Sequence, residues 1–347
     1  MLKAKPTIDS SAPTLVTAFG GMGGVEFGAI LSKMIRPIAS IELNPKKPVI
    51  SDRFEIIHDK NFSEFGHCFI KQTVQQVDYS VIAKPFWFHA SPVCSNFSIA
   101  NSLGIKESKQ DISNAENVVR GINILNPQIF TLEQVPAFER GKSFKLICNA
   151  LIEDDYCYHW KVVDMADYGI PQERKRLWLL AWKNGCSPWK FPPMQTRVGW
   201  WQAVKDIPFQ ASSMLQGQAI AIESYLYQSH ANILLVERLP AGVEIKIREA
   251  DQPSITIRRM MFTDKYSIKS KEKHSLINRY RFLDAMIEGK FRALNLKHIQ
   301  RLCSFPDWMV VPHNVCDIPA VVGVGMGYAC SPLFVKQLIE CNLSNSN

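Results

Sequence analysis

A short apolar run that leads directly into a cluster of glycines constrains this chain more than any other feature. The run is Thr14–Phe19 (TLVTAF), the cluster is Gly20–Gly24 (GGMGG), and Val25–Met34 then carries apolar side chains at helical spacing. These features predict a strand, a tight turn and a helix, in which glycines let backbone N–H groups approach a ligand closely. A second predicted strand, Pro37–Leu43, contains Glu42 at its end, where an acid can accept both ribose hydroxyls of a nucleotide.

The residue at position 26 separates two classes of nucleotide ligand. A nicotinamide-type G-x-G-x-x-G loop that starts at Gly21 needs its third glycine at this position, which is Glu26. The sequence therefore favours a different adenosyl ligand. A glycine-rich turn followed by a surface glutamate is the alternative interpretation of these residues taken alone.

Further predicted strands alternate with helical segments through the first half of the chain. They are Tyr79–Ala83, then Gln128–Leu132 followed by Glu133, and then Leu177–Trp182. This alternation predicts an α/β fold with a parallel sheet, helices on both faces and ligands at the carboxyl ends of the strands. Beyond Lys183 the chain becomes rich in proline and loses its periodicity, so we place a domain boundary near Asn184.

The positive charge of the chain is concentrated in one segment. Between Thr256 and Arg301 there are twelve Lys or Arg and four Asp or Glu, a surplus of eight that equals the net charge of +8. A basic face confined to one segment suits a phosphate backbone as partner. A solvated surface run is equally consistent with this charge.

The cysteines and the N-terminus indicate the compartment. The nine cysteines contain no Cys-x-x-Cys pair, which argues against a disulfide framework and against a zinc cluster, so we predict no metal site and a cytoplasmic location. The first residues are polar and lack the apolar core of a signal peptide. The uncharged stretch from Ala320 to Val335 is broken by glycines and a proline, so no membrane span is expected.

Four residues near predicted strand ends could form a reacting centre. Cys94 lies in the polar loop Ser91–Ser98 (SPVCSNFS), a setting that can hold a thiolate, although a lone cysteine is more often a buried hydrophobe. Glu133 follows the fourth predicted strand, and Arg174 and Arg176 precede the fifth on the same side of the chain. A thiol, a carboxylate and two guanidiniums at adjacent strand ends predict a site for a nucleobase.

Six motifs, in order along the chain, resemble those of the DNA cytosine-5 methyltransferase family. The similarity covers nearly all of the chain except a segment from about Cys186 to Glu249. The motifs are FGGMGG at 19–24, SPVCSNFS at 91–98, LEQV at 132–135, GIPQERKR at 169–176, RALNLKHIQRLCSFPDW at 292–308 and GYACSPL at 327–333.

The resemblance implies a cofactor and a fold. It predicts a Rossmann-like methyltransferase fold that binds S-adenosyl-L-methionine, with Phe19 stacking on adenine and Glu42 on the ribose. Asp59 would lie near the adenine amino group, and the cofactor loop would contribute Gly21, Gly23 and Gly24. The implied domains are a catalytic and cofactor-binding domain at 1–184, a smaller target-recognition domain at 185–290 and a C-terminal segment at 291–347 that returns to the catalytic domain.

The resemblance also implies a reaction on double-stranded DNA. The Cys94 thiolate would attack C6 of a cytosine flipped out of the helix, while Glu133 binds its N3/N4 edge and Arg174 and Arg176 contact the nucleotide. Four further residues are predicted to contact the substrate, namely Ser98, Gln172, Arg258 and Arg259.

Several positions depart from the motifs of the family. The expected proline before the nucleophile is Val93, the asparagine after the catalytic acid is Gln134, and the acid before the cofactor loop is Thr17. Val93 removes a restraint on the loop that aims the thiol, and Gln134 is one methylene longer than asparagine. In the last motif an expected asparagine is Tyr328 and an expected proline is Ser331. None of these changes removes a reacting group, so we predict a divergent enzyme.

Two alternatives remain at this point. A catalytically inactive DNA-binding relative would keep the fold without turnover, and a tRNA cytosine-5 methyltransferase would act on RNA. The Cys-Phe-Thr signature beyond the acid motif, typical of the tRNA branch, is not found here. A compact enzyme of this kind suggests a restriction–modification context with a possible cognate endonuclease, and the family suggests a monomer.

Overall fold

The structure is a computed structural model. It describes residues 4–93, 96–97, 107–211, 222–226, 229, 231–237, 246–257, 283–312 and 325–344. Within these ranges two sheets and seven α-helices with described bounds are defined, and residues 222–226 and 325–328 are also helical.

A seven-stranded sheet forms the larger part of the fold. Its strands in chain order are β1 Thr14–Ala18, β2 Arg36–Ile41, β3 Cys68–Ile70, β4 Trp87–Ala90, β5 Ile129–Gln134, β6 Tyr156–Asp164 and β7 Lys175–Lys183. Their order across the sheet is β3-β2-β1-β4-β5-β7-β6. Its associated helices are α1 Gly24–Ser32, α2 Pro48–Phe62, α3 Lys109–Leu125 and α4 Lys142–Glu153. The predicted α/β fold with a Rossmann-like arrangement is therefore confirmed.

Two details of the predicted sheet are wrong. Tyr79–Val81 is a 3₁₀ turn, in which the Asp78 carboxylate accepts a hydrogen bond from the Ser80 N–H at 2.9 Å, and the strand follows later as β4. This strand was missed because its four residues, WFHA, are all buried and show no alternation. The sheet is also not wholly parallel, since β7 runs antiparallel to both β5 and β6.

A second, antiparallel sheet lies in the later part of the chain. It contains β8 Gln210–Ala211, β9 Ile233–Glu237, β10 Lys246–Glu249, β11 Leu283–Ile287 and β12 Lys290–Ala293, in the order β10-β9-β11-β12-β8. Two short helices pack near it, α5 Trp200–Val204 and α6 Leu296–Leu302. The strand β12 spans the predicted boundary between 290 and 291.

One hydrophobic core joins the two parts. Met22 and Phe27 from the start of the chain pack in the same buried cluster as Trp200, Leu283 and Ile299. This continuity restrains the second sheet relative to the larger one, because a shared close-packed core resists sliding.

The C-terminal helix α7, Pro332–Leu343, returns to pack against α1. The contact is tight enough that a Cβ on Gly28 would lie 2.4 Å from the Val335 Cβ. This packing sets the residues before α7 against the glycine cluster. Among the described residues, no helix combines the length and apolarity that crossing a bilayer requires.

Candidate active site

The antiparallel direction of β7 brings two predicted site segments to one edge of the sheet. Gln134 at the end of β5 pairs with Leu177 near the beginning of β7. Arg176, one residue earlier, places its Nε 3.0 Å from Oε1 of Glu133. Both side chains are largely buried, so this ion pair is little screened by solvent. The structure thus brings together the predicted carboxylate and one predicted guanidinium.

Arg174 lies beside this pair but has other partners. Its Nη1 donates to the carbonyl oxygen of Gly327 at 2.7 Å and its Nη2 to that of Ala329 at 3.1 Å. Burial, together with the neighbouring Arg176, lowers the pKa of this guanidinium to about 10, so it remains charged at neutral pH. Arg174 therefore ties the start of β7 to the segment that precedes α7, a role that the sequence did not indicate.

Gln134 holds the backbone on the approach to position 94. Its side-chain Nε2 donates a hydrogen bond to the carbonyl oxygen of Pro92, and its Oε1 accepts from the Val135 N–H at 2.9 Å. Gln134 itself is almost fully buried. The extra methylene relative to asparagine is thus accommodated, because the longer amide still reaches the loop.

The other side of this loop is anchored to α3. Asn96 Nδ2 donates to the Asp111 carboxylate at 2.6 Å, and Asp111 also completes a capping box with Ser108 at the start of α3. Phe97 is buried, with its ring 4.8 Å from that of Phe138 in an edge-to-face arrangement. Residues on both sides of position 94 are therefore fixed. Cys94 and Ser98, the predicted nucleophile and a predicted substrate contact, lie outside the described residues.

The glycine cluster forms a tight loop between β1 and α1. Phe19, Gly21 and Gly23 all have positive φ (59°, 55° and 89°). This region of backbone conformation strongly favours glycine, which is the residue at the latter two positions. A Cβ on Gly24 would lie 2.2 Å from the carbonyl oxygen of Cys330, so only glycine allows this approach to the segment before α7. The backbone N–H groups at the start of α1 are thereby held at one edge of the sheet, as the sequence predicted.

Glu42 follows β2 and faces this loop. The Gly21 N–H donates to its Oε2 at 3.3 Å. Burial raises the pKa of the Glu42 carboxyl to about 7, and the nearby Glu26 carboxyl contributes to the increase. A carboxylate beside a glycine loop at the end of the second strand is suitably placed to accept the hydroxyls of a ribose.

The remaining predicted residues occupy different environments. Asp59 is exposed on α2, and its neighbour His58 is buried and places Nε2 3.0 Å from the Gly21 carbonyl oxygen. Gln172 is buried, and its Nε2 donates to the Leu302 carbonyl oxygen at 3.3 Å. Arg258 and Arg259 lie outside the described residues.

Sequence reasoning missed the polar cluster beneath the loop. Glu26 is fully buried and accepts hydrogen bonds from the hydroxyls of Thr17 and Ser40. His58 and His67 lie in the same cluster. One carboxylate oxygen of Glu26 and one ring nitrogen of each histidine, atoms of the kind that bind metal ions, all lie within 4.8 Å of one another. The only signal in the sequence was an acid at the position where a dinucleotide loop has glycine.

Taken together, this edge of the sheet combines two kinds of binding surface. One is a glycine loop faced by the carboxyl group of Glu42, which fits an adenosyl cofactor. The other is a buried carboxylate paired with a guanidinium, beside an anchored loop, which can bind the polar edge of a heterocyclic base. The fold and this pairing define the class of methyltransferases that act on a base with an adenosyl cofactor.

Comparison with known proteins identifies the family. The family model of the C-5 cytosine-specific DNA methylases matches residues 14–339, almost the whole chain, so this chain belongs to that family. Members of the family use S-adenosylmethionine to methylate cytosine in DNA.

The sequence identity to individual relatives is low. The chain is 27% identical to the Type II methyltransferase M.MthTI of Methanothermobacter thermautotrophicus, over 73% of this chain and 78% of that protein. It is also 27% identical to the Type II methyltransferase M1.ScrFI of Lactococcus lactis subsp. cremoris, over 53% of this chain, and spans about half (47%) of that relative's length. A solved structure of a putative DNA modification methyltransferase encoded within an E. coli prophage aligns with a TM-score of 0.64 at 16% identity, over 96% of this chain and 100% of that one, which supports the fold.

Proposed function

We propose that this chain transfers a methyl group from S-adenosylmethionine to C5 of cytosine in double-stranded DNA, with Cys94 as its nucleophile. The observation that carries the proposal is the arrangement around Glu133. Its carboxylate pairs with Arg176 at 3.0 Å, and the next residue, Gln134, holds the backbone at Pro92, two residues before Cys94. The chain thus links its acid and its thiol loop through one strand end.

The cofactor fits the residues at the glycine loop. The backbone N–H groups of Gly21, Gly23 and Gly24 would surround the amino-acid part, Phe19 would stack on the adenine, and Glu42 would accept the ribose hydroxyls. The segment at Cys330, which approaches Gly24 closely, would close this pocket from the C-terminal side. When bound, S-adenosylmethionine supplies an electrophilic methyl group.

The residues of the chain would activate the base for that transfer. The Cys94 thiolate adds to C6 of the cytosine, so that the C5–C6 π electrons become available at C5. Glu133 binds the N3/N4 edge and holds a proton at N3, which lets the ring accept this electron density. After C5 is methylated, a base removes the C5 proton and its C–H electrons re-form the double bond as the sulfur leaves C6.

The DNA would be bound partly by residues outside the described part of the chain. The surplus of Lys and Arg between Thr256 and Arg301 would contact phosphates, and Arg258, Arg259 and Ser98 remain proposed contacts to the substrate. Because C6 is inaccessible within a duplex, the base must be flipped out, at a cost of about a few kcal/mol. Arg174 and Gln172 would act indirectly, since their buried side chains bind backbone carbonyls.

The proposed setting is a cytoplasmic monomer, in a restriction–modification context with a cognate endonuclease. All seven cysteines within the described ranges are free thiols, which supports a reducing compartment. The Type II names of the relatives support the restriction–modification context.

The test is a covalent trap. Wild type and Cys94→Ala are incubated with S-adenosylmethionine and duplex DNA that contains 5-fluorocytosine throughout, and adducts that survive denaturation are measured. Fluorine at C5 cannot leave as a proton does, so wild type should stall as a covalent complex while Cys94→Ala forms none. A parallel assay compares methyl incorporation into duplex DNA and total tRNA.

Three outcomes would contradict the proposal. Wild type that binds DNA without forming an adduct would indicate an inactive DNA-binding relative. Activity confined to tRNA would change the substrate. An adduct with Cys94→Ala would assign the nucleophile to another residue.

A further inference from the structure

We propose that Glu26 is a positioning residue for cofactor binding, which supplies from helix α1 the buried carboxylate that supports the glycine loop from below. The inference rests on the proposed function and concerns how this chain in particular builds its cofactor site. In this chain Thr17 stands where the family motif has an acid before the glycine loop.

The carboxylate of Glu26 is in direct contact with the residue that replaces the expected acid. The hydroxyl of Thr17 donates to Oε1 of Glu26, nine residues further along the chain. The hydroxyl of Ser40 donates to the same oxygen. Thr17 and Ser40 face each other in the β1–β2 pairing, so the carboxylate bridges the two strands from the direction of α1.

These two strands carry the proposed cofactor contacts. Phe19 lies two residues after Thr17, and Glu42 lies two residues after Ser40. A carboxylate that fixes both hydroxyls therefore fixes the strand ends from which the adenine-stacking ring and the ribose acid extend.

The loop lies directly above the carboxylate. A Cβ on Gly20 would approach Thr17 Oγ1 to 2.9 Å, the Ser40 Cβ to 3.1 Å and Glu26 Oε1 to 3.2 Å. The loop backbone is therefore in contact with the Glu26 cluster, and a displacement of the carboxylate would be transmitted to the N–H groups at Gly21.

The burial of Glu26 argues against a role as simple core filling. Its side chain is fully buried, and its second oxygen, Oε2, has no hydrogen-bond partner within the described part of the structure. Burial raises the pKa of this carboxyl, and the hydrogen bonds from Ser40 and Thr17 act in the opposite direction. An apolar residue would avoid this desolvation cost, so filling space does not by itself account for an acid at this position.

Two histidines extend the network to the loop and to β3. His67 Nε2 lies 2.9 Å from the Ser40 hydroxyl, and His58 Nε2 lies 3.0 Å from the Gly21 carbonyl oxygen. Burial lowers the pKa of both, so they are neutral at physiological pH. The contacts with Ser40 and Gly21 account for one ring nitrogen of each histidine without a metal ion.

The experiment moves the carboxylate back to the expected position. The dissociation constant of S-adenosylmethionine is measured by calorimetry for wild type, Glu26→Ala, Glu26→Gln, Thr17→Asp and the double variant Thr17→Asp/Glu26→Ala. Glu26→Ala should weaken binding about tenfold, because it removes the buried carboxylate oxygen that accepts from both the Thr17 and the Ser40 hydroxyls. Glu26→Gln retains one oxygen and the side-chain volume, so its loss should be smaller.

The affinity of the double variant for S-adenosylmethionine is the decisive measurement. Thr17→Asp alone should also weaken binding, because it would place two carboxylates side by side in a buried space. Combined with Glu26→Ala it should recover most of the lost affinity, the non-additivity expected when two carboxylates can serve the same hydroxyls. Glu153→Gln, which changes an exposed acid at the end of α4, is the matched control and should bind as wild type does.

The outcomes separate this inference from the proposed function. Wild type that binds no S-adenosylmethionine would overturn the function itself. A second outcome would overturn only the positioning role. Here wild type binds S-adenosylmethionine and forms the covalent adduct, Glu26→Gln binds the cofactor as tightly as wild type, and the double variant recovers no affinity. A stoichiometric metal ion present in wild type and lost in Glu26→Gln, detected by elemental analysis, would also overturn it and would assign Glu26, His58 and His67 as metal ligands. Should Glu26→Ala fail to fold, Ser40→Ala tests the same network by removing one of the two hydroxyls.

Discussion

The side-chain amide of Gln134 donates a hydrogen bond to the carbonyl oxygen of Pro92, which joins the end of β5 to the loop that leads to Cys94. Glu133, the preceding residue, pairs with Arg176. Adjacent residues of one strand therefore fix the proposed catalytic carboxylate and the approach to the proposed nucleophile.

Replacing Gln134 should slow covalent trapping without affecting the cofactor. Gln134→Leu keeps approximately the same volume but removes the donor, and Gln134→Asn shortens the amide by one methylene, so neither can hold Pro92 in the present backbone. We expect the rate of adduct formation with 5-fluorocytosine DNA to fall about tenfold or more, as for the loss of one buried hydrogen bond in a reacting geometry.

The dissociation constant of S-adenosylmethionine should remain unchanged, because the contact is remote from the glycine loop. Gln128→Asn, which changes an exposed residue immediately before β5, is the control and should trap at the wild-type rate. A Gln134→Asn protein that traps as fast as wild type would show that the Pro92 contact is dispensable.

Arg174 and Arg176 should have different functions. Arg174 donates to two carbonyl oxygens at 2.7 and 3.1 Å through its forked guanidinium, a geometry that a lysine cannot reproduce. Arg174→Lys should therefore lower the free energy of unfolding by about 1–3 kcal/mol, and it should weaken S-adenosylmethionine binding because Ala329 and Cys330 close on Gly24.

Arg176→Lys should instead impair trapping with little change in stability or cofactor affinity, because Arg176 pairs with Glu133 at the proposed base site. Denaturant unfolding, calorimetry and the trap, performed on both variants, measure the three quantities. Identical profiles for the two variants would contradict the separate roles.

The sequence predicted the cofactor side of the site better than the base side. The glycine loop and Glu42 belong to one strand–turn–helix–strand unit. Their spacing along the chain is therefore enough to predict that they lie close together. The base side depends on distant contacts. Arg174 reaches carbonyls 153 and 155 residues away, and no spacing rule gives such a pairing. The position of Asp59 was inferred from the motif order alone, and the structure places it on an exposed helical face.

Strand direction was the other missing information. The alternation of strands and helices predicts parallel neighbours, but β6 precedes β7 in an antiparallel pair, which reverses β7 relative to β5. That reversal brings the beginning of β7, rather than its end, next to Glu133. The sequence contains the hydrophobic segments of both β6 and β7. It contains no local signal that β7 lies between β5 and β6 in the sheet.

Cys330 is a second thiol near the site, and we expect it to be dispensable for the covalent step. Its Sγ lies 3.4 Å from the Ser91 hydroxyl and 3.6 Å from His89 Nε2, yet burial raises the pKa of the thiol well above its ordinary value, so the nucleophilic thiolate is suppressed. Cys330→Val, similar in volume, should form the 5-fluorocytosine adduct within about twofold of the wild-type yield. Loss of the adduct in Cys330→Val with retention in Cys94→Ala would exchange the two assignments.

Cofactor binding should depend on pH through Glu42. The pKa of its carboxyl is raised to about 7, mainly by burial, and only the ionised form can accept hydrogen bonds from two ribose hydroxyls with both oxygens. Between about pH 6 and pH 8 the ionised fraction rises about tenfold, so the dissociation constant of S-adenosylmethionine should fall by a similar factor. Calorimetry across this range measures the change, and Glu42→Gln should bind weakly with a much flatter pH profile. His58 and His67 stay neutral throughout, since burial depresses the pKa of each.

The stability of the cofactor-free protein should change in the opposite direction over the same range. Because the pKa of Glu42 is raised from 4.5 to about 7 on folding, the folded protein holds this proton more tightly than the unfolded chain does. The resulting stabilisation is fully present below pH 4.5 and is lost as the pH rises through about 7. The increase in melting temperature caused by S-adenosylmethionine should therefore be larger at pH 8 than at pH 6, while the melting temperature without cofactor should respond less to pH in Glu42→Gln than in wild type. A cofactor-induced shift that is equal at both pH values would contradict the assignment of Glu42 as the ribose acid.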